Sequence, residues 1–179
     1  MEAQRVRRAA SLVFSDQQVS TAVAAMAAGV GARLADRDPV IVAVMQGGAF
    51  TAVHLCAHFD FPFEFDYVHV TRYGDDIVGG DLEWRAAPQI DLRGRTVLLV
   101  DDVLDHGVTL AALRENIEAR DPAELLVAVL VRKQLAAARQ RPRPDFVGLE
   151  SEDVYLFGCG MDYKGYWRGL PAIYAVAEA

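Results

Sequence analysis

A chain of 179 residues, 53% hydrophobic and 24% charged, has the length of one domain and an ordinary globular composition, which excludes fibrous and disordered classes. Its net charge of −7 excludes a binding mode built on general neutralisation of nucleic-acid phosphates by Lys and Arg. Cys56 and Cys159 lack metal-ligand spacing, no apolar run reaches membrane-spanning length, and no signal-peptide core follows Arg5, Arg7 and Arg8. A soluble cytoplasmic protein without membrane or nucleic-acid partners is expected.

The first predicted helix opens at Ser15, a residue suited to an N-cap, with Gln18 placed to reach back to it. Val19, Ala22, Val23, Met26 and Val30 then share one helical face, and Asp36-Arg37-Asp38-Pro39 supplies the stop near Ala35. Val40 to Met45 is an apolar run of the kind that forms a strand buried on both faces of a parallel sheet. Gln46-Gly47-Gly48-Ala49-Phe50 follows, and a helix is expected from Phe50 to His58. Two glycines between strand and helix suit either a plain turn or a backbone that approaches an anion closely. His54 and His58 have i, i+4 spacing, but with no third ligand nearby they read as a partly exposed helix face. Phe63 to Val70 alternates as a strand. Thr71 to Gly80 is polar and glycine-rich, a loop of the length that usually carries function. Leu82 to Arg85 reads as a short returning strand.

The most informative stretch runs from Thr96 to Leu110. Val97 to Val100 is a second buried-strand pattern, and it is expected to end in two adjacent carboxylates, Asp101 and Asp102. Asp105-His106-Gly107-Val108-Thr109 forms a small turn, and Leu110, Leu113 and Ile117 recur with helical period. This order puts backbone N–H groups and the positive end of a helix where a phosphate can sit, at the strand edge where open α/β sheets bind ligands. Two acids beside such a cradle address something other than the phosphate. Sugar hydroxyls and a magnesium ion are the obvious candidates. Glu124 to Val131 is a further buried strand that ends in Arg132-Lys133. Arg139 to Pro144 is a basic, proline-containing connection, and Tyr155, Tyr163, Tyr166 and Trp167 make the C-terminal part aromatic. Strands and helices alternate through most of the chain, so an α/β fold is expected, with a mainly parallel twisted sheet covered on both faces.

Val97 to Thr109 resembles the phosphoribosyl-pyrophosphate (PRPP) signature of the type I phosphoribosyltransferases. The likeness extends from about Val40 to Leu170 and is strongest to the hypoxanthine-guanine group. It implies a single phosphoribosyltransferase domain over residues 1–179, with a base-binding hood from about 140–179 and an N-terminal contribution. By the resemblance, Asp101 and Asp102 hold the ribose hydroxyls and, indirectly, Mg2+, and the turn Asp105, His106, Gly107, Val108 and Thr109 holds the 5-phosphate. Gln46, Gly47, Arg72 and Arg168 correspond to pyrophosphate contacts, Arg72 at the start of a mobile loop (Thr71-Arg72-Tyr73-Gly74) that closes over the reacting centre. Lys133, with Arg132 as the alternative one residue away, donates to the 6-oxo group of the base. Tyr155 stacks on the base, backbone carbonyls at Leu156 and near Asp162 read the 2-position at the base edge, and Asp162 also helps hold a second magnesium through pyrophosphate. Asp105 is the expected catalytic base. For Tyr163 and Trp167 a place in a C-terminal aromatic core is preferred.

The implied reaction joins hypoxanthine or guanine to PRPP, giving IMP or GMP and pyrophosphate, in a homo-oligomer, a dimer or a tetramer. Two positions depart from the family pattern. Purine-specific members often carry Lys where Gln46 stands, and many carry Thr where His106 stands; a protonated His106 could serve the phosphate in its place. Three other readings compete. A xanthine or pyrimidine phosphoribosyltransferase is the nearer of these, and a missing Lys133 contact would favour it. A non-catalytic nucleotide-binding regulator on the same fold fits poorly with the acidic charge. A response-regulator domain places its paired acids at the first strand, not past mid-chain.

Overall fold

In the computed structural model, which describes residues 1–72, 82–135 and 141–177, the elements follow in the order α1 (Glu2–Ala9), β1 (Ser11–Phe14), α2 (Asp16–Leu34), β2 (Val40–Met45), α3 (Gly47–Cys56), β3 (Glu64–Arg72), β4 (Leu82–Ala86), β5 (Thr96–Leu104), α4 (Val108–Glu118), β6 (Glu124–Lys133), β7 (Phe146–Ser151), β8 (Leu156–Phe157) and β9 (Ile173–Ala175). Among them, six strands form one sheet in the order β4-β3-β2-β5-β6-β7. All neighbours pair parallel except β4, which returns antiparallel on β3 at one edge.

Alternation along the inner strands separates two cores. Ile41, Ala43, Leu98, Val100, Ala128 and Leu130 pack with α2 and α3, while Val40, Val42, Val44, Val97, Leu99, Val127 and Val129 pack with α4. Burying each Val, Ile or Leu side chain contributes about 1.5–3 kcal/mol, so strands covered on both faces select apolar residues at every position. The break in that pattern comes where β2, β5 and β6 reach their C-terminal ends, and that edge carries the polar residues of interest.

Helix α2 starts as its sequence predicts. The Ser15 hydroxyl accepts from the Gln18 backbone N–H at 3.3 Å, and the Gln18 side chain accepts from the Ser15 N–H at 2.9 Å. Several boundaries differ from expectation, and strands β3 and β6 run on to Arg72 and Lys133. Strand β5 does not end at the acidic pair but continues to Leu104, because Asp101, Val103 and Leu104 stay in register with Val129, Val131 and Arg132 of β6. Helix α3 begins at Gly47 rather than Phe50, so the two glycines form its first turn, and it ends at Cys56, leaving His58 beyond the helix. His54 and His58 are both exposed.

A second, three-stranded sheet has the order β1-β9-β8, antiparallel throughout. Helix α1 docks beside it: the Trp167 indole N–H donates to the Ala3 carbonyl at 2.8 Å, and Tyr163 and Lys164 both bond the Glu2 carboxylate. The Arg7 guanidinium lies 3.8 Å from the centre of the Tyr174 ring. Tyr163 and Trp167 are therefore half-exposed tethers for α1 and not a closed aromatic core. Among the described residues, no helix is long and apolar enough to cross a membrane.

Candidate active site

A cleft of about 430 Å³ opens at the C-terminal edge of β2, β5 and β6 and is bounded on its far side by residues between Tyr155 and Arg168. It gathers Gln46, Gly47, Asp101, Asp102, Asp105, Gly107, Thr109, Lys133, Tyr155, Leu156, Asp162 and Arg168 around one space. His106 and Val108 are exposed members of the adjoining turn and first helical residue, outside the cleft lining. Thr71 and Arg72, expected to begin the mobile loop, instead end β3, where they pair with Glu83 and Leu82 of β4. The loop from Tyr73 to Gly80, expected to act as a lid, lies outside the described residues.

Asp102 is buried and Asp101 half-buried, both packed against the start of α3. A Cβ on Gly47 would lie 1.8 Å from Asp102 Oδ2, and one on Gly48 would lie 2.5 Å from the Val100 carbonyl oxygen. Gly160, at φ +102°, closes the third side, where a side chain would meet the Gly47 carbonyl oxygen at 2.4 Å. These glycines exist so that helix, strand and C-terminal loop can touch around Asp102. Each carboxylate accepts a hydrogen bond from the next residue's backbone N–H: Asp102 N to Asp101 Oδ1 and Val103 N to Asp102 Oδ1, both 2.9 Å. Burial, and then the charge of Asp102, push Asp101 well above the usual carboxylate range. Burial also raises Asp102, with Asp101 and the Arg168 guanidinium pulling the other way. Such a pair is poorly solvated as it stands and gains from any ligand that brings hydroxyl donors or positive charge.

Beyond the pair, the chain turns at Gly107, whose φ of +83° is a left-handed conformation that glycine adopts without strain, and α4 begins at Val108. The first turn of a helix carries unsatisfied backbone N–H groups and the positive end of the helix dipole, and Gly107 and Thr109 at this start line the cleft. This turn is tied down by Arg141, which donates to the carbonyl oxygens of Asp105 at 3.0 Å and Lys133 at 2.7 Å. One guanidinium thus joins the backbones that carry two side chains of the cleft.

Those two side chains also meet directly. Lys133 Nζ is 3.0 Å from Asp105 Oδ2 and 3.4 Å from Asp153 Oδ1. The other oxygen, Asp105 Oδ1, is buried without a hydrogen bond and lies 3.6 Å from His106 Nε2. Lys133 is buried and lines the cleft, whereas Arg132 leaves the opposite face of β6 to pair with Glu150 of β7. On the far wall, Arg168 Nη2 pairs with Asp162 Oδ1 at 2.7 Å and Nη1 donates to the Gly160 carbonyl at 2.7 Å. Asp162 Oδ2 accepts from the Gly165 N–H at 2.5 Å, while Arg168 Nε is buried without a partner. Tyr155 stands at the mouth, 53% exposed, edge-on to Tyr163 at 5.9 Å between ring centroids.

Two members of this arrangement were not identified from sequence. Asp153 follows two other polar residues, and Arg141 sits among several arginines, so nothing local distinguishes either. Only the tertiary contacts with Lys133 do so.

With the geometry in place, comparison with known proteins is specific. Residues 12–164 match the family profile described as phosphoribosyl transferase domain. The chain is 29% identical over 168 residues to hypoxanthine-guanine-xanthine phosphoribosyltransferase of Tritrichomonas foetus, which covers 94% of this chain and 92% of the relative. It is 30% identical over 138 residues to hypoxanthine phosphoribosyltransferase of Salmonella typhimurium, covering 76% of each. A solved structure of a hypoxanthine-guanine-xanthine phosphoribosyltransferase superposes with a TM-score of 0.85 at 27% identity, over 94% of this chain and 97% of the other.

Proposed function

The chain belongs to the phosphoribosyltransferase family, and from that premise we propose that it transfers the 5-phosphoribosyl group of PRPP to hypoxanthine or guanine, giving IMP or GMP and pyrophosphate in purine salvage. The observation that carries the choice of base is the Lys133 ammonium, 3.0 Å from the Asp105 carboxylate and lining the same cleft as the acidic pair. An ammonium is a donor only and suits the 6-oxo acceptor of these bases.

In this reading the ribose hydroxyls of PRPP donate to Asp101 and Asp102, and its 5-phosphate is held by the turn Asp105 to Thr109. The purine lies between Tyr155 and the strand edge, with the backbone of Leu156 facing its edge. Displacement occurs at the anomeric carbon. The base nitrogen N9 forms the new C–N bond as the C–O bond to pyrophosphate breaks, and the Asp105 carboxylate accepts the proton at N7. Proton transfer of this kind typically contributes about 10²- to 10⁴-fold. Gln46, the Gly47 backbone, Arg72 and Arg168 receive the departing pyrophosphate; a guanidinium matches phosphate oxygens in a planar fork.

Magnesium fits these residues as a companion of the substrate. Among the described residues no cluster of three His, Cys, Asp or Glu could hold a metal unaided, but Asp101 and Asp102 are desolvated carboxylates that gain from added positive charge. Magnesium typically takes one or two carboxylates and completes its shell with substrate oxygens and water. Asp162 would act on a second ion through pyrophosphate. When bound, the ion supplies Lewis-acid neutralisation of the leaving group.

The small sheet β1-β9-β8, with the loop from Glu152 onward and an N-terminal contribution, is assigned as the hood of a single domain. The residues from Phe146 to Ser151 belong to the main sheet. We further assign the protein to the cytoplasm and its working form as a homo-oligomer, a dimer or a tetramer; exposed apolar side chains on α3 (Phe50, Val53) and β3 (Phe65, Tyr67) support the association. The decisive test is product formation from PRPP and Mg2+ with hypoxanthine, guanine, xanthine and adenine. Turnover of hypoxanthine and guanine is expected, and turnover of none or of adenine alone overturns the reading. A dominant rate with xanthine would favour the broader specificity named for the Tritrichomonas relative.

A further inference from the structure

Asp153 belongs to the loop between β7 and β8, two residues before Tyr155, and reaches back to the end of β6, where its Oδ1 lies 3.4 Å from Lys133 Nζ. Lys133 carries its charge on a side chain only 11% exposed, so the ammonium depends on its partners. It has three N–H donors. Asp105 and Asp153 approach from two different elements and take two of them, and the third remains for a group in the cleft.

We propose that Asp153 is a positioning residue for base recognition, holding the Lys133 ammonium in place through an ion pair that persists when Asp105 is protonated. The proposal rests on the reaction assigned above. As the base reacts, Asp105 takes a proton and its carboxylate becomes a neutral acid. Lys133 thereby loses its nearer counter-charge at the moment when its hydrogen bond to O6 has to keep the ring oriented. Asp153 takes no part in the proton transfer and retains its charge. It therefore keeps the ammonium paired through the step.

The test measures affinity for inosine monophosphate and for purine ribonucleoside 5′-monophosphate, which lacks the 6-oxo group, by calorimetry. Asp153→Asn should lose about 3- to 5-fold in affinity for inosine monophosphate, the size expected of a part-exposed ion pair, and be unchanged for the analogue; Asp153→Glu should recover most of the loss. In a Lys133→Met background the Asn substitution should have no further effect. Equal losses for both nucleotides, full affinity of Asp153→Asn for inosine monophosphate, or an undiminished effect in the Lys133→Met background would overturn the proposal. A wild-type protein without preference for inosine monophosphate over the analogue would instead overturn the base assignment on which it rests.

Discussion

Asp102 occupies the space that a side chain at Gly47 would need: a Cβ built there lies 1.8 Å from the carboxylate Oδ2. The first turn of α3 and the acidic edge of β5 are thus fitted to each other at van der Waals distance. Position 47 is also where the chain passes from β2 to α3, so any displacement moves Gln46 and the cleft wall with it.

Gly47→Ala is therefore expected to displace Asp102 or the helix start. Overpacking of this kind typically costs about 1–3 kcal/mol, and PRPP affinity should fall with it. Gly169→Ala is the control, since nothing lies within 4 Å of a Cβ there; it should stay within about 0.5 kcal/mol. Thermal melting and PRPP titration of the two variants check both statements. A fully stable, fully binding Gly47→Ala protein would show that the packing is not required.

The acidic pair should also leave a mark on stability against pH. Asp101 and Asp102 are raised above their ordinary value, so the folded protein binds more protons than the unfolded chain once pH exceeds the unfolded value of about 3.9. Stability from these groups is fully present below that pH and is lost as pH rises through the folded values. Replacing both by Asn removes the desolvated charge. The variant should melt higher than the wild type at pH 7, with the gap closing towards pH 4, while PRPP affinity drops strongly. Unchanged affinity in the folded double variant would remove the acidic pair from the PRPP site.

Much of this was legible in the sequence because the signals were local. Unbroken apolar runs gave β2, β5 and β6, and the Ser15–Gln18 box gave the start of α2 within a residue. What escaped depends on distant partners. Strand β5 runs on past the acids because β6 holds Val103 and Leu104 in register, and no propensity within Asp101 to Leu104 reports that. β8 has two residues and β9 three, too short for a period to appear. Asp153 and Arg141 become distinctive only where they meet Lys133. The choice between Lys133 and Arg132 was open for a related reason: adjacent strand residues point to opposite faces, and the sequence does not say which face borders the cleft.

Asp105→Asn tests the proton acceptor. The amide keeps the shape of the side chain and the turn, but it cannot serve as a carboxylate base. Because only the transition state loses stabilisation, kcat should fall by about 10²-fold or more while PRPP affinity stays within a few-fold. Single-turnover rates with saturating PRPP and hypoxanthine would measure it. A full-rate variant would leave Asp105 with a role in shaping the turn alone.

Lys133 and Arg132 give the last prediction, since they leave the same strand end on opposite faces. Arg132 pairs with Glu150 on the surface, an ion pair with both side chains over a third exposed, so Arg132→Ala should cost little stability and leave base preference unchanged. Lys133→Ala should instead abolish the preference for 6-oxopurines. In the wild type, adenine would set its amino donors against the ammonium and leave Lys133 without its base partner; sites built around such a hydrogen bond can reject the wrong group by about 10⁴-fold. Backbone carbonyls near Leu156 and Asp162 are assigned to the 2-position, so guanine should be used and xanthine disfavoured. Competition among the four bases at fixed PRPP and Mg2+ measures all of this at once. Equal use of adenine and hypoxanthine by the wild type would overturn the assignment of Lys133, and a marked preference for xanthine would overturn that of the carbonyls.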